Sequence, residues 1–156
     1  MVVVGKPVIQ ASGLSFSYGS QCVLENATFE IAERDFVSIV GPNGGGKTTL
    51  LKLILGLLDA SAGKLEVFGT TPMRARRRVG YMAQYSAWDA QFPVSALDVV
   101  LMGRLGPGRF GFYRKSDVSI AQEALANVGM ADLARRPFSA LSGGQRQRVL
   151  IARALA

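Results

Sequence analysis

Gly41, Gly46, Lys47 and Thr48 stand at the spacing G-x-x-x-x-G-K-[ST] within the run Gly41-Pro42-Asn43-Gly44-Gly45-Gly46-Lys47-Thr48-Thr49. Glycines at this density let a backbone come close to a bulky anion with no Cβ in the way. Lys47 adds a compact positive charge, and the Thr48 hydroxyl can ligate a hard cation. Together these residues have the chemistry of a loop that cradles phosphate, with Lys47 directed at the β and γ phosphates and Thr48 at a bridging Mg²⁺. The flanks agree with that reading. Phe36 to Val40 is a short, mostly apolar run that suits a strand buried on both faces of a parallel sheet. Thr49 to Leu55 is apolar nearly all round, as a buried helix should be. A strand–loop–helix arrangement would turn the helix N-terminus, and its unpaired N–H groups, toward the anion.

A second run of the same physical type follows about a hundred residues later. Leu141-Ser142-Gly143-Gly144-Gln145 precedes a helical stretch in which Val149, Leu150, Ala152 and Ala154 are apolar. Ser142 is an N-cap candidate, and the two glycines leave the first N–H groups of that helix open. Ser-Gly-Gly is also common turn chemistry, so taken alone the run reads equally as an ordinary capped helix. A protein holding one nucleotide has little use for two phosphate cradles, unless the second serves the nucleotide of a neighbour.

The elements that must position these groups are legible in outline. Leu14 to Tyr18 and Ala27 to Ile31 alternate apolar and polar residues and read as half-exposed, antiparallel strands. Lys64 to Phe68 and Val79 to Met82 read as further strands. Beyond about Gln84 the pattern turns helical. Ser95, with Asp98 at capping-box spacing, opens one helix that runs to about Met102. Ser116 to Val128 forms another, with Ile120, Ala121, Ala124, Leu125 and Val128 on one stripe and Gly129 closing it. Gly103 to Gly111 is a glycine-rich connection. The fold class is therefore α/β. It is a phosphate-loop NTPase core with N-terminal antiparallel strands and an inserted α-helical subdomain, divided as 1–84 (β-rich core), 85–141 (helical subdomain) and 142–156 (second-cradle helix returning to the core).

In these motifs and their order the chain resembles the nucleotide-binding subunits of ATP-binding cassette (ABC) transporters over essentially everything from Ile9 onward. GPNGGGKTT resembles the Walker A loop and LSGGQ the family signature. The resemblance implies ATP and Mg²⁺ as ligands. Gly41, Pro42, Asn43, Gly44, Gly45, Gly46, Lys47, Thr48 and Thr49 would hold the phosphates, and Leu141, Ser142, Gly143, Gly144 and Gln145 would face the nucleotide of a second subunit in a head-to-tail dimer. It implies that Tyr18 stacks on adenine, and that Gln84 is the Q-loop glutamine, which contacts Mg²⁺ and links the site to the membrane subunit. Lys47 and Gln84 are then the catalytic candidates, and Thr48 and Gln84 the metal ligands. The run Phe92 to Arg104 resembles bacterial importers of zinc, manganese or chelated iron. The implied partners are membrane permease subunits, a second nucleotide-binding subunit and, indirectly, an extracytoplasmic substrate-binding protein. The implied place is the cytoplasmic face of the membrane.

The same resemblance implies a Walker B strand, a D-loop and a switch histidine. The chain contains no histidine, and no carboxylate follows Leu141. The expectation is a chain cut before Walker B, not hydrolytically competent alone, and with Phe36 to Val40 left as an unpaired apolar edge. A soluble ABC ATPase acting on ribosomes or DNA, a phosphate-loop kinase or GTPase, and an inert piece of a longer protein are the rival readings. LSGGQ argues against the kinase or GTPase.

Composition narrows the rest. At 156 residues and 49% hydrophobic the chain is globular, large enough for a real core. The single Cys22 excludes an intramolecular disulfide framework and fits a reducing compartment. The net charge of +7 is densest at Arg74, Arg76, Arg77 and Arg78. No aromatic residues interleave with this cluster, so it reads as a basic face near a polyanionic ligand and an anionic membrane rather than as a nucleic-acid site.

Overall fold

The computed structural model describes residues 6–83, 93–105 and 112–156. The chain divides into two compact units, 1–79 and 80–156.

In the first unit two long strands, β1 (Pro7–Tyr18) and β2 (Gln21–Ala32), form an antiparallel hairpin closed by the two-residue connection Gly19-Ser20. A third strand, β3 (Ala62–Val67), pairs antiparallel with the other side of β1, giving the order β2-β1-β3. The alternation along β1 sends Ala11, Leu14 and Phe16 inward. Helix α1 (Lys47–Ile54) packs on them through Leu53, with Leu50 beside it, while Ile54 joins Val67 of β3 and Ala75 in a smaller cluster. Leu50, Leu53 and Ile54 are the i, i+3, i+4 stripe of an amphipathic helix. The sequence predicts burial nearly all round. The structure corrects this: Lys52 is exposed and Leu51 partly so. Helix α2 (Pro72–Ala75) and a 3₁₀ turn (Arg76–Arg78) end the unit.

Two predicted strands are absent. Phe36 to Val40 has no ladder partner among the described residues, and Phe36 is fully exposed. An apolar run becomes a strand only when neighbouring backbone takes its N–H and C=O groups, and side-chain pattern alone does not supply that neighbour. The parallel sheet expected around this run is likewise missing, since every described strand pairing is antiparallel. Val79 to Met82 is also non-strand, for the same want of a partner. The apolar side chains of Phe36, Val37, Ile39 and Val40 are exposed, along an irregular run and not along the strand edge expected there.

The second unit is helical. Helices α3 (Ala96–Met102), α4 (Lys115–Asn127) and α5 (Gly143–Leu155) pack on one another around Val99, Val100, Ala121, Leu125, Met130 and Val149, each essentially without exposure. Ser95 caps α3 in the expected box: its hydroxyl accepts from Asp98 N, and Asp98 Oδ2 accepts from Ser95 N at 2.8 Å. Asp117 at the start of α4 accepts from Arg114 N at 3.0 Å and pairs with Arg104 at 3.2 Å, tying the end of α3 to the start of α4. The described residues put the helix opening at Ser142 in this unit, on α3 and α4. Among them no helix is long and apolar enough to cross a membrane.

Removing the Leu125 side chain tests this core. Leu125→Ala should lower unfolding free energy by about 2–5 kcal/mol in urea titrations followed by circular dichroism, and the exposed Glu123→Ala should stay within about 0.5 kcal/mol of the parent. A Leu125→Ala loss as small as the Glu123→Ala one would show that the three helices do not share a packed interior.

Candidate functional site

The phosphate loop takes its shape from the hairpin beneath it. Gly44 and Gly46 both lie in the left-handed region, at φ 81° and 79°. Gly46 is buried, and a Cβ there would come within 2.9 Å of the Val23 carbonyl oxygen and 3.1 Å of the Leu24 side chain. No L side chain suits either demand, so Gly46 seats the loop directly on β2. A backbone bond from Gly45 N to Pro42 O, 3.1 Å, closes the turn, and Leu50 N to Gly46 O, 2.8 Å, starts α1. The loop thus ends at an uncapped helix N-terminus, since no side chain bonds the first N–H groups of α1. That terminus carries unpaired donors and the positive end of the helix dipole.

Lys47 folds back over the loop. Its Nζ donates to Gly41 O at 2.8 Å and Pro42 O at 2.6 Å. An ammonium held by two carbonyls keeps its charge at the loop mouth with one donor to spare. Thr48 is exposed, whereas Thr49 is buried beneath it.

Tyr18 comes to the same corner through the hairpin register. Gly46 rests on Val23 and Leu24; Leu24 pairs with Phe16; and Phe16 meets Tyr18 edge to face, with ring centroids 4.8 Å apart. Tyr18 remains 47% exposed, which leaves part of its ring open to a planar ligand. Gln84 lies outside the described residues.

In the second unit Ser142 caps α5. Its hydroxyl accepts from Gln145 N at 3.3 Å, and Gln145 Oε1 accepts from Ser142 N at 2.9 Å. The S-x-x-Q spacing that announces this box stands in the sequence, and the Gln145 half is what the sequence reading missed. Leu141 is buried in the helical core, so its side chain serves packing. Gly143 and Gly144 face open space, with no atom within 4 Å of a Cβ built at either. Among the described residues, no neighbouring atom requires glycine there.

Among known proteins, the ABC transporter family model matches residues 24–156. This chain belongs to the ABC transporter family. It is 43% identical over 150 residues to the manganese transport system ATP-binding protein MntB of Bacillus subtilis, covering 94% of this chain and 59% of that protein. It is 44% identical over 154 residues to the zinc transport system ATP-binding protein TroB of Treponema pallidum, covering 94% and 56%. The cassette therefore spans about 60% of the length of the curated relatives it matches. It also superposes on an ABC transporter of known structure, classed as metal-chelate type and captured facing inward, at 34% identity and a TM-score of 0.78, covering 96% of this chain and 55% of the other. The fold of the cassette is that of an ABC ATPase, and its family binds ATP.

The open glycines give a sharp expectation. Gly144→Ala sits in a helix with room for the methyl, so it should stabilise the cassette by about 0.4–1 kcal/mol by restricting the unfolded chain. Gly46→Ala should instead destabilise it and weaken nucleotide binding. Thermal unfolding of the two variants side by side checks both. A loss of stability in Gly144→Ala would mean that the glycine is needed by the fold itself.

Proposed function

We propose that this cassette is the ATP-binding part of a peripheral subunit on the cytoplasmic face of a membrane, coupling ATP binding and hydrolysis to import of a metal ion or metal chelate. The observation that carries the reading is the pair of cradles: a loop that supplies its own lysine, and a capped helix end whose glycines face open space among the described residues. Two copies, head to tail, would place Gly41 to Thr49 of one against Ser142 to Gln145 of the other, with ATP between them.

The residues present suit the ligands. The loop backbone from Gly41 to Gly46, the Lys47 ammonium and the α1 N-terminus together suit a triphosphate. Thr48 and Gln84 are the residues that would hold Mg²⁺, and Tyr18 the one that would meet adenine. Mg²⁺ held there would neutralise charge on the phosphates. Lys47 holds the terminal phosphate oxygens, and the α5 N-terminus adds donors from the neighbouring copy. The names of the relatives, manganese and zinc systems among them, support the cargo class.

The motion follows from differential affinity. ATP draws two copies together only insofar as it binds the closed pair better than the open one, and loss of the γ phosphate reverses that preference. Membrane permease subunits docked near Gln84 would take up the movement.

Sedimentation with and without Mg-ATP tests the sandwich. ATP should convert the cassette from monomer to dimer, and Ser142→Arg, placed at the interface, should abolish dimerisation while leaving the monomer able to bind ATP. A mass unchanged by ATP, in a protein that binds it, would contradict the head-to-tail arrangement. Disrupting the gene should lower cellular manganese, zinc or iron, and unchanged levels of all three would count against the cargo class.

A further inference from the structure

Helix α3 packs on α5 and meets the chain at both ends of it. At the cradle end Ala96 N donates to Arg136 O at 3.0 Å and Phe138 N to Val94 O at 2.8 Å, which pins the chain just before Leu141. At the far end Gly103 comes so close to α5 that a Cβ there would run into the Arg153 carbonyl oxygen. The φ of Gly103 is −65°, open to any residue, so the close approach alone calls for glycine.

Arg104, the next residue, closes that far end. Its Nε donates to Asp117 Oδ1 at 3.2 Å, and its Nη1 donates to the main-chain oxygen of Ala156, the C-cap of α5. Asp117 is buried, and its other oxygen accepts from Arg114 N at the start of α4. The last carbonyls of a helix lack intrahelical partners and carry the negative end of its dipole, so a guanidinium is favoured there on both counts. One planar fork thus joins the end of α3, the start of α4 and the end of α5.

We propose that Arg104 is a positioning residue for the second cradle: by holding the far end of α5, it sets the direction in which Ser142, Gly143 and Gly144 are presented to a ligand. The helix has 13 residues and is about 20 Å long at 1.5 Å per residue. With the cradle end pinned, a slip of about 5 Å at the far end turns the axis, and the N–H groups of the first turn with it, by about 15°. Binding geometries must be held within about 10–20°. A lysine could not replace the fork, because a point charge cannot span a carboxylate and a helix carbonyl at once. The proposal rests on the head-to-tail reading and deepens it, with a residue that itself touches no nucleotide.

Two variants of the whole chain test this. Arg104→Lys keeps a charge for Asp117 and loses the fork, and Arg104→Gln combined with Asp117→Asn removes both charges, so no carboxylate is left buried and unpaired. Val128→Ala, which trims a contact of the same core, controls for general loss of stability. Sedimentation with Mg-ATP should show dimerisation weakened about tenfold in both Arg104 variants relative to Val128→Ala. Calorimetric binding of Mg-ATP by the Lys47 loop should match the control. Amide hydrogen exchange should quicken at Arg146 and Gln147, in the first turn of α5, as well as in its last turn. Dimerisation equal to that of Val128→Ala, or faster exchange confined to the last turn, would overturn the proposal. A parent that binds ATP and stays monomeric would overturn the head-to-tail reading instead, and exchange at Arg146 and Gln147 would still decide whether Arg104 holds the cradle end.

Discussion

The contact between Gly46 and the Val23 carbonyl is the constraint on which the nucleotide-binding end of this molecule depends. A left-handed residue without a side chain allows the loop to lie directly on β2. That seating starts α1 one residue later, turns its unpaired N–H groups outward, and leaves Lys47 to fold onto Gly41 and Pro42. It also fixes where the loop stands relative to Tyr18, because Val23 and Leu24 belong to the same hairpin as Phe16 and Tyr18. A wider residue at position 46 would lift the loop, and the phosphate donors, the lysine and the aromatic face would no longer share one corner.

The second cradle applies the same helix-end physics with the opposite finish. The α1 terminus is uncapped and has a lysine at its mouth. The α5 terminus is capped by Ser142 and Gln145, and beyond that box it presents only glycine backbone. A capped helix end is stable by itself and presents its remaining donors without rearrangement. A bare, charged loop is the part that needs an anion. One end thus suits gripping a ligand and the other suits closing over a ligand held elsewhere. The head-to-tail pair proposed above would use that division of labour.

What could be read from the residues tracks how local each interaction is. Ser95 and Asp98 bond within one helical turn, so spacing alone announced the α3 cap. Ser142 was legible for the same reason, and Gln145 carried an equally local signal in S-x-x-Q. The alternation of β1 and β2 was legible because an antiparallel hairpin keeps its partner close in sequence. Phe36 to Val40 and Val79 to Met82 carry strand-like side chains, but strand formation needs backbone from elsewhere, and no pattern within five residues can show whether that backbone is present. The burial of Asp117 was illegible for a related reason: its partner Arg104 lies across a helix connection. Tyr18 and the phosphate loop could be placed together only through a family resemblance, and the structure supplies the pairing that links them. The openness around Gly143 and Gly144, which separates an unpacked glycine from a packing one such as Gly46, exists only in three dimensions.

The most direct test of this account is calorimetric titration of the purified chain with Mg-ATP, set against Lys47→Ala, with circular dichroism on both. Saturable binding to the parent, weakened at least about tenfold in a folded Lys47→Ala chain, corresponding to about 1.4 kcal/mol, is the expected result. Equal binding by both chains, or none by a folded parent, would contradict the claim that the Gly46-seated loop and its lysine form a nucleotide site.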